Sequence, residues 1–303
     1  MPTRRAFVRQ TALLAALATL PGRHLWAWQT LLERPIPSTG ERLPVIGLGT
    51  SRTHDVALDA AAMAPLLEVL RTFVNGGARL IDTAPSYGNA EPVCGALVQQ
   101  LDAREKVFLA TKVSSRGEQA GRRQLENSFQ ALRTRQIDLV QVHNLQDTHT
   151  QLRLLREQKA AGRIRYIGIT HYRDAAQDDL LATLRREPGI DFVQVNYSVG
   201  ERQAEKRLLP WCADRGVAVL INRPFARGQL LSRVRDQPLP DWAIELDATS
   251  WAQLLLKFIL AQPAVTTVIP ATSNPRYMAD NLLAGQGRLP NARQCRRIAA
   301  AFA

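Results

Sequence analysis

At 303 residues, 46% hydrophobic and 22% charged, the chain is long enough and apolar enough to bury a sizeable core, which excludes a disordered segment and suits one α/β domain. The formal charge of +12 falls to +8 without the four arginines of residues 1–27, and the remaining cations are scattered, which argues against a nucleic-acid face. No run of about 18 apolar residues occurs, so no stable membrane span is expected in a mature chain.

The first element reads as an export signal. Thr3-Arg4-Arg5-Ala6-Phe7-Val8-Arg9 is a twin-arginine stretch, followed by an apolar run over residues 11–20 and a Pro21-Gly22 break. That order predicts a Tat-type signal over residues 1–27, passage through the Tat translocase and a periplasmic protein. Leu25-Trp26-Ala27 only half satisfies the small-x-small rule, so cleavage and retention as an inner-membrane tether both stay open.

Residues 34–45 read as a β-hairpin turning at Ser38-Thr39-Gly40. Beyond them, apolar runs of four to seven residues alternate with longer segments of helical period, as βα units on a parallel sheet do. Strands are expected at 45–48, 79–82, 107–112, 139–143, 166–170, 192–196, 217–222 and 267–269. Helices are expected at 58–75, 91–100, 122–134, 148–161, 175–186, 203–215, 250–261 and 275–284, with one more over 289–303. Gly76 and Gly216 stand where helix C-caps belong, and Ser273-Asn274-Pro275 opens a helix. Eight such units predict a (β/α)8 TIM barrel, a single domain over residues 34–303, with the hairpin capping its floor. No GxGxxG follows an early strand, which disfavours an open doubly wound sheet. Cys94, Cys212 and Cys295 fall inside helical patterns without metal spacing, so they are expected to be buried and no metal is expected.

Groups at the C-terminal strand ends of such a barrel converge where its active site lies. Asp82, Tyr87, Lys112 and His143 stand at or just past the ends of the runs 79–82, 106–112 and 137–143. Reduction of a carbonyl by hydride needs an acid near the carbonyl oxygen. Tyrosine can donate, a neighbouring lysine lowers its pKa, an aspartate keeps the lysine charged, and a histidine can orient the carbonyl.

The segment Ile81-Asp82-Thr83-Ala84-Pro85-Ser86-Tyr87-Gly88 resembles the aldo-keto reductase motif, with Asp and Tyr five apart. Lys112 in Ala110-Thr111-Lys112 and His143 in Val140-Gln141-Val142-His143 match the family's other two catalytic positions. The resemblance runs from about residue 43 to residue 283. It implies NAD(P)H-dependent reduction of a small-molecule carbonyl and a set of cofactor-binding residues. Ile46-Gly47-Leu48-Gly49-Thr50 resembles the turn near the nicotinamide, and Gln194 the amide that holds the carboxamide. Asn222, Arg223, Phe225 and Gly228 resemble the loop over the pyrophosphate. Thr272, Ser273, Arg276, Asp280 and Asn281 resemble the adenosine-phosphate segment at a helix N-terminus. Thr170-His171 replaces the usual Ser-Asn of the second carboxamide contact, Asn222 a common tyrosine, and Ala271 and Tyr277 a common basic pair. Arg276 then supports NADPH ahead of NADH, because arginine is the strongest phosphate ligand. A monomer is expected, and residues 51–56 and 144–147 are expected at the substrate mouth. The rival reading is an exported nucleotide-holding redox sensor or partner subunit with little turnover, which would not need the whole tetrad.

Overall fold

Each apolar run is covered on both sides, which is why the strands show so little polar alternation along most of their length. The computed structural model describes residues 30–302; the expected Tat-type signal over residues 1–27 lies outside them. The hairpin consists of β1 (Glu33–Pro35) and β2 (Arg42–Pro44), paired antiparallel. Eight parallel strands follow in sequential order: β3 (Leu48–Gly49), β4 (Leu80–Asp82), β5 (Phe108–Val113), β6 (Ile137–His143), β7 (Ile164–His171), β8 (Phe192–Asn196), β9 (Ala218–Asn222) and β10 (Val265–Val268). Parallel bridges Ile46–Val268 and Gly49–Ala271 join the last strand to the first, so the sheet closes as a TIM-type barrel.

The helices between the strands are α1 (Ala60–Asn75), α2 (Ala90–Gln100), α3 (Glu118–Ala131), α4 (Thr148–Ala160), α5 (Gln177–Arg186), α6 (Leu208–Arg215), α7 (Gln229–Arg233), α8 (Trp251–Leu260) and α9 (Pro275–Leu283), with α10 (Ala292–Ala300) at the end. Three differ from expectation. Helix α3 starts at Glu118, behind Gly117 at φ +79°, and ends at Ala131 before Arg133 turns to φ 52°. The expected helix 203–215 splits into a 3₁₀ turn, Gln203–Lys206, and α6. Pro210 favours the break: it lacks an N–H and its ring crowds the carbonyl four residues back, a strain avoided when it falls in the first turn of α6, although α1 accommodates Pro65 in its interior. Helix α7 and the 3₁₀ segment Asp241–Leu246 were not expected at all. Cys94 and Cys212 are buried as expected, whereas Cys295 is half-exposed.

Inside the barrel, Leu80, Phe108, Ala110, Leu139, Tyr166, Phe192, Ala218, Leu220 and Ile269 form a core separate from the larger one under the helices. Ile36 and Leu43 of the hairpin complete this inner core, which seals the floor. Gly40, at φ +78°, supplies the turn between them.

Closing the barrel also explains Gly49. A Cβ there would lie 2.8 Å from the Ile269 carbonyl oxygen, across the seam between first and last strands. The expectation that this glycine clears space for a cofactor therefore has a competing structural cause. Gly49→Ala is expected to lower unfolding free energy by about 1–3 kcal/mol, measured by urea denaturation. Wild-type stability would remove the seam as the reason for the glycine.

Candidate active site

Side chains on a strand alternate in direction, so residues two apart share the barrel interior. On β6 that period carries Leu139 in the inner core, then Gln141, then His143 at the rim. On β4 it carries Leu80 and Asp82, and on β5 Phe108, Ala110 and Lys112. The lower part of the barrel is apolar and its upper layer is ionisable.

Lys112 is wholly buried. Its Nζ donates to Asp82 Oδ2 at 2.7 Å and to the Thr83 carbonyl at 2.8 Å. The same Nζ lies 5.0 Å from the centre of the Tyr87 ring. Tyr87 meets His143 edge to face, with ring centres 6.0 Å apart. The four residues separated by up to 61 positions are thus brought together, as the rim placement anticipated. Gly88, at φ +61°, turns the chain directly after Tyr87, and a Cβ there would collide with the Asp55 carboxylate. Asp55 Oδ1 accepts from the Asn89 amide at 2.9 Å, which ties the loop 51–56 to the start of α2 beside the tyrosine.

Electrostatics sharpen the roles. Burial works against the Lys112 charge, but Asp82 and Tyr87 outweigh it and hold its pKa above the ordinary lysine value. Burial, helped by the Asp82 charge, raises the Tyr87 pKa against the lowering by Lys112, and the net direction is up. The expected lowering by lysine is present, therefore, but is overridden. Burial, then Lys112 and His171, bring His143 down to about 3, so its ring is neutral near pH 7. His54, buried in the neighbouring loop, is brought down by burial to about 4 from 6.5.

Both histidines carry a linkage consequence. Their neutral forms are favoured in the folded state, so the stability they contribute is present above about pH 6.5 and is lost as pH falls. For His54 alone the loss between pH 7 and pH 4.5 is about 2–3 kcal/mol. Urea unfolding at the two pH values is expected to differ by that much less in His54→Gln. An identical pH dependence in wild type and variant would exclude His54 as a source.

The remaining site candidates divide into three groups. Around Asp82, Thr50 donates through its backbone N–H and Oγ1 to the Asp82 carbonyl, at 3.1 and 3.0 Å. Gln194 Nε2 donates to Asp82 Oδ1 at 2.8 Å, and Thr170 Oγ1 donates to Gln194 Oε1 at 3.0 Å. His171, half-exposed, stacks on Tyr172 with ring centres 5.6 Å apart. At the end of β9, Arg223 Nη1 donates to the Tyr172 carbonyl at 3.0 Å, while Asn222 Oδ1 and Arg223 Nε are buried without a protein partner. Phe225 and Gly228 follow in the same loop, where Arg223, Ala226 and Arg227 all have positive φ. At the end of β10, Asn274 caps α9 by accepting from the Arg276 N–H at 2.9 Å, with Thr272 Oγ1 accepting from the Asn274 N–H at 3.0 Å. Ser273 and Arg276 are exposed beside that N-terminus, and Asn281 is buried. Asp280 is occupied elsewhere: Ser250 Oγ and Gln253 Nε2 each donate to it at 2.7 Å, which joins α9 to α8.

A model of the Aldo/keto reductase family matches residues 45–301. The chain belongs to this family. Among curated relatives of this aldo/keto reductase, YhdN of Bacillus subtilis is 29% identical over 217 residues, 67% of this chain and 64% of that protein. Methylglyoxal reductase YeaE of Escherichia coli is 30% identical over 241 residues, 76% of this chain and 82% of that protein. An aldo/keto reductase from Klebsiella pneumoniae, solved in complex with NADP and acetate, superposes with a TM-score of 0.72 at 27% identity, covering 86% of this chain and 91% of that one. The thermostable aldo-keto reductase Tm1743, solved with the inhibitor epalrestat, gives 0.75 at 26% identity, covering 89% and 100%. This aldo/keto reductase is therefore an oxidoreductase. Among its described residues no helix is long and apolar enough to cross a membrane, and no group of three or more metal-ligating side chains occurs.

Two features of the site escaped sequence reasoning. Gln141 Nε2 donates to Asp82 Oδ1 at 3.2 Å, and Glu91 accepts from Thr111 Oγ1 at 2.6 Å behind Lys112. The first was readable, since Gln141 lies two residues before His143 on the same strand face. The second depends on how α2 packs against β5, which no local pattern discloses.

Proposed function

We propose that this aldo/keto reductase reduces an aldehyde or ketone to an alcohol with NADPH, with Tyr87 as general acid. The carrying observation is the buried Lys112 ammonium, bonded to Asp82 at 2.7 Å and 5.0 Å from the Tyr87 ring centre. When bound, the nicotinamide supplies a hydride to the carbonyl carbon. Tyr87 then gives its proton to the developing alkoxide oxygen, and solvent restores it. Its raised pKa keeps it a neutral donor at working pH, and the Lys112 charge stabilises the phenolate that forms. Neutral His143 orients the carbonyl by hydrogen bonding without adding a charge beside Lys112.

The cofactor reading fits the residues present. Arg223 Nε, buried without a partner among the described residues, is an N–H donor suited to a pyrophosphate. The α9 N-terminus, with Thr272, Ser273 and Arg276, suits the 2′-phosphate. Relatives solved with NADP or NADPH support the same choice. The test is the loss of NADPH absorbance with a panel of small aldehydes. Arg276→Ala is expected to raise KM for NADPH by about ten-fold and leave KM for NADH unchanged. Tight nucleotide retention without multiple turnover on any aldehyde would favour the redox sensor instead.

The twin arginines support export to the periplasm by the Tat translocase, which carries folded proteins. Mass spectrometry of periplasmic protein is expected to find a processed or tethered chain with nucleotide bound. Uncut protein confined to the cytoplasm would overturn the export reading.

A further inference from the structure

We infer that Gln141 is a positioning residue, which acts on the reaction by holding the Asp82 carboxylate in register with Lys112. The inference rests on the roles proposed above for Asp82 and Lys112. Asp82 is almost wholly buried, and each of its oxygens is assigned: Oδ2 faces Lys112, while Oδ1 receives two amide N–H groups, from Gln141 at 3.2 Å and from Gln194 at 2.8 Å. Gln194 is itself held by Thr170, on the strand between β6 and β8. With Lys112 on Oδ2, the two amide donors on Oδ1 hold the carboxylate at both oxygens, and loss of the Gln141 donor leaves Oδ1 with one amide and a weaker hold on its rotation.

Gln141 has no other evident purpose. It is wholly buried, so it cannot reach solvent, and its Oε1 has no partner among the described residues. An unpaired buried carbonyl is unfavourable, so an apolar residue of similar size would be the more stable filling at this position. What glutamine supplies beyond volume is the N–H donor. The neighbouring strand makes room for it: Gly168 is the register partner of Gln141, and a Cβ at Gly168 would lie 3.0 Å from Gln141 Cγ.

A double-mutant cycle in the full chain tests this, with Gln141→Leu made in the wild type and in Asp82→Asn. NADPH and 4-nitrobenzaldehyde are the probes. In the wild-type background Gln141→Leu is expected to lower kcat by about ten-fold, with thermal stability and NADPH affinity retained. In the Asp82→Asn background the further loss is expected to stay under about two-fold, because Gln141 acts through the carboxylate. An equal loss in both backgrounds, or no loss in the first, overturns the inference. If Gln141→Leu does not fold, Gln141→Met takes its place in the same cycle. If wild type turns over no aldehyde, the proposed activity fails on its own account. The cycle is then read on unfolding midpoints, where coupling between positions 141 and 82 is expected and strict additivity overturns the positioning role.

Discussion

Tyr87→Phe is expected to lower kcat by about 10²- to 10⁴-fold while NADPH affinity stays within about two-fold. The substitution removes one hydroxyl and leaves the ring. The edge-to-face contact with His143 is made by the ring, and Lys112 stays anchored by its bonds to Asp82 and the Thr83 carbonyl. The fold around the site is therefore expected to persist, and the loss measures the proton donor rather than its scaffold. Hydride transfer to a carbonyl without an acid leaves an alkoxide stranded in a site whose nearest cation is committed to Asp82. Steady-state kinetics with an aldehyde panel and fluorescence titration of NADPH give the two numbers. Retention of wild-type kcat with every aldehyde would mean that another group supplies the proton.

The second large effect is expected from Lys112→Met, which keeps an unbranched side chain out to Cε and removes the charged Nζ. Asp82 then remains buried at 3% exposure with two amide donors and no cation. Breaking a buried ion pair from one side costs about 3–5 kcal/mol, because the surviving charge stays desolvated. Turnover is expected to fall as well, by about 10²-fold or more, since the phenolate of Tyr87 loses its counter-charge. Removing both charges, with Asp82→Asn added to Lys112→Met, is expected to recover part of the stability and none of the turnover. Urea unfolding and steady-state kinetics of the two variants beside wild type separate the two consequences. A Lys112→Met protein as stable as wild type would show that the pair is not desolvated as described.

The contrast between these two substitutions reflects where each residue sits. Tyr87 is mostly buried, on a turn stabilised by its own backbone, with its N–H donating to the Ala84 carbonyl at 3.0 Å. Lys112 is on a strand whose side chains carry the inner core directly below it. Loss of function at the first position is expected without loss of fold; at the second a single substitution lowers both, and only the added Asp82→Asn separates them.

Much of the site was legible in the sequence. Asp82, Lys112 and His143 stand at strand ends, and the apolar runs before them identify those ends. Pro210 carried a local signal for the break before α6. Other assignments needed distant partners. Gly49 reads as clearance for a ligand until Ile269, 220 residues later, is found against it. Asp280 reads as a nucleotide contact until Ser250 and Gln253 take both its oxygens. The direction of the Tyr87 shift also needed the fold, because lysine and burial oppose each other and only packing sets their balance.

The sequence by itself determined the alternation of strands and helices, the order of the barrel and the rim on which the tetrad stands. Those features follow from hydrophobic period and chain order, which act between residues a few positions apart. The tertiary structure alone decided which oxygen of Asp82 meets Lys112, that Gln141 and Gln194 share the other, and that the Tyr87 pKa moves up rather than down. Those outcomes depend on the stagger with which eight strands close and on the water they exclude, quantities that no local stretch of the chain contains.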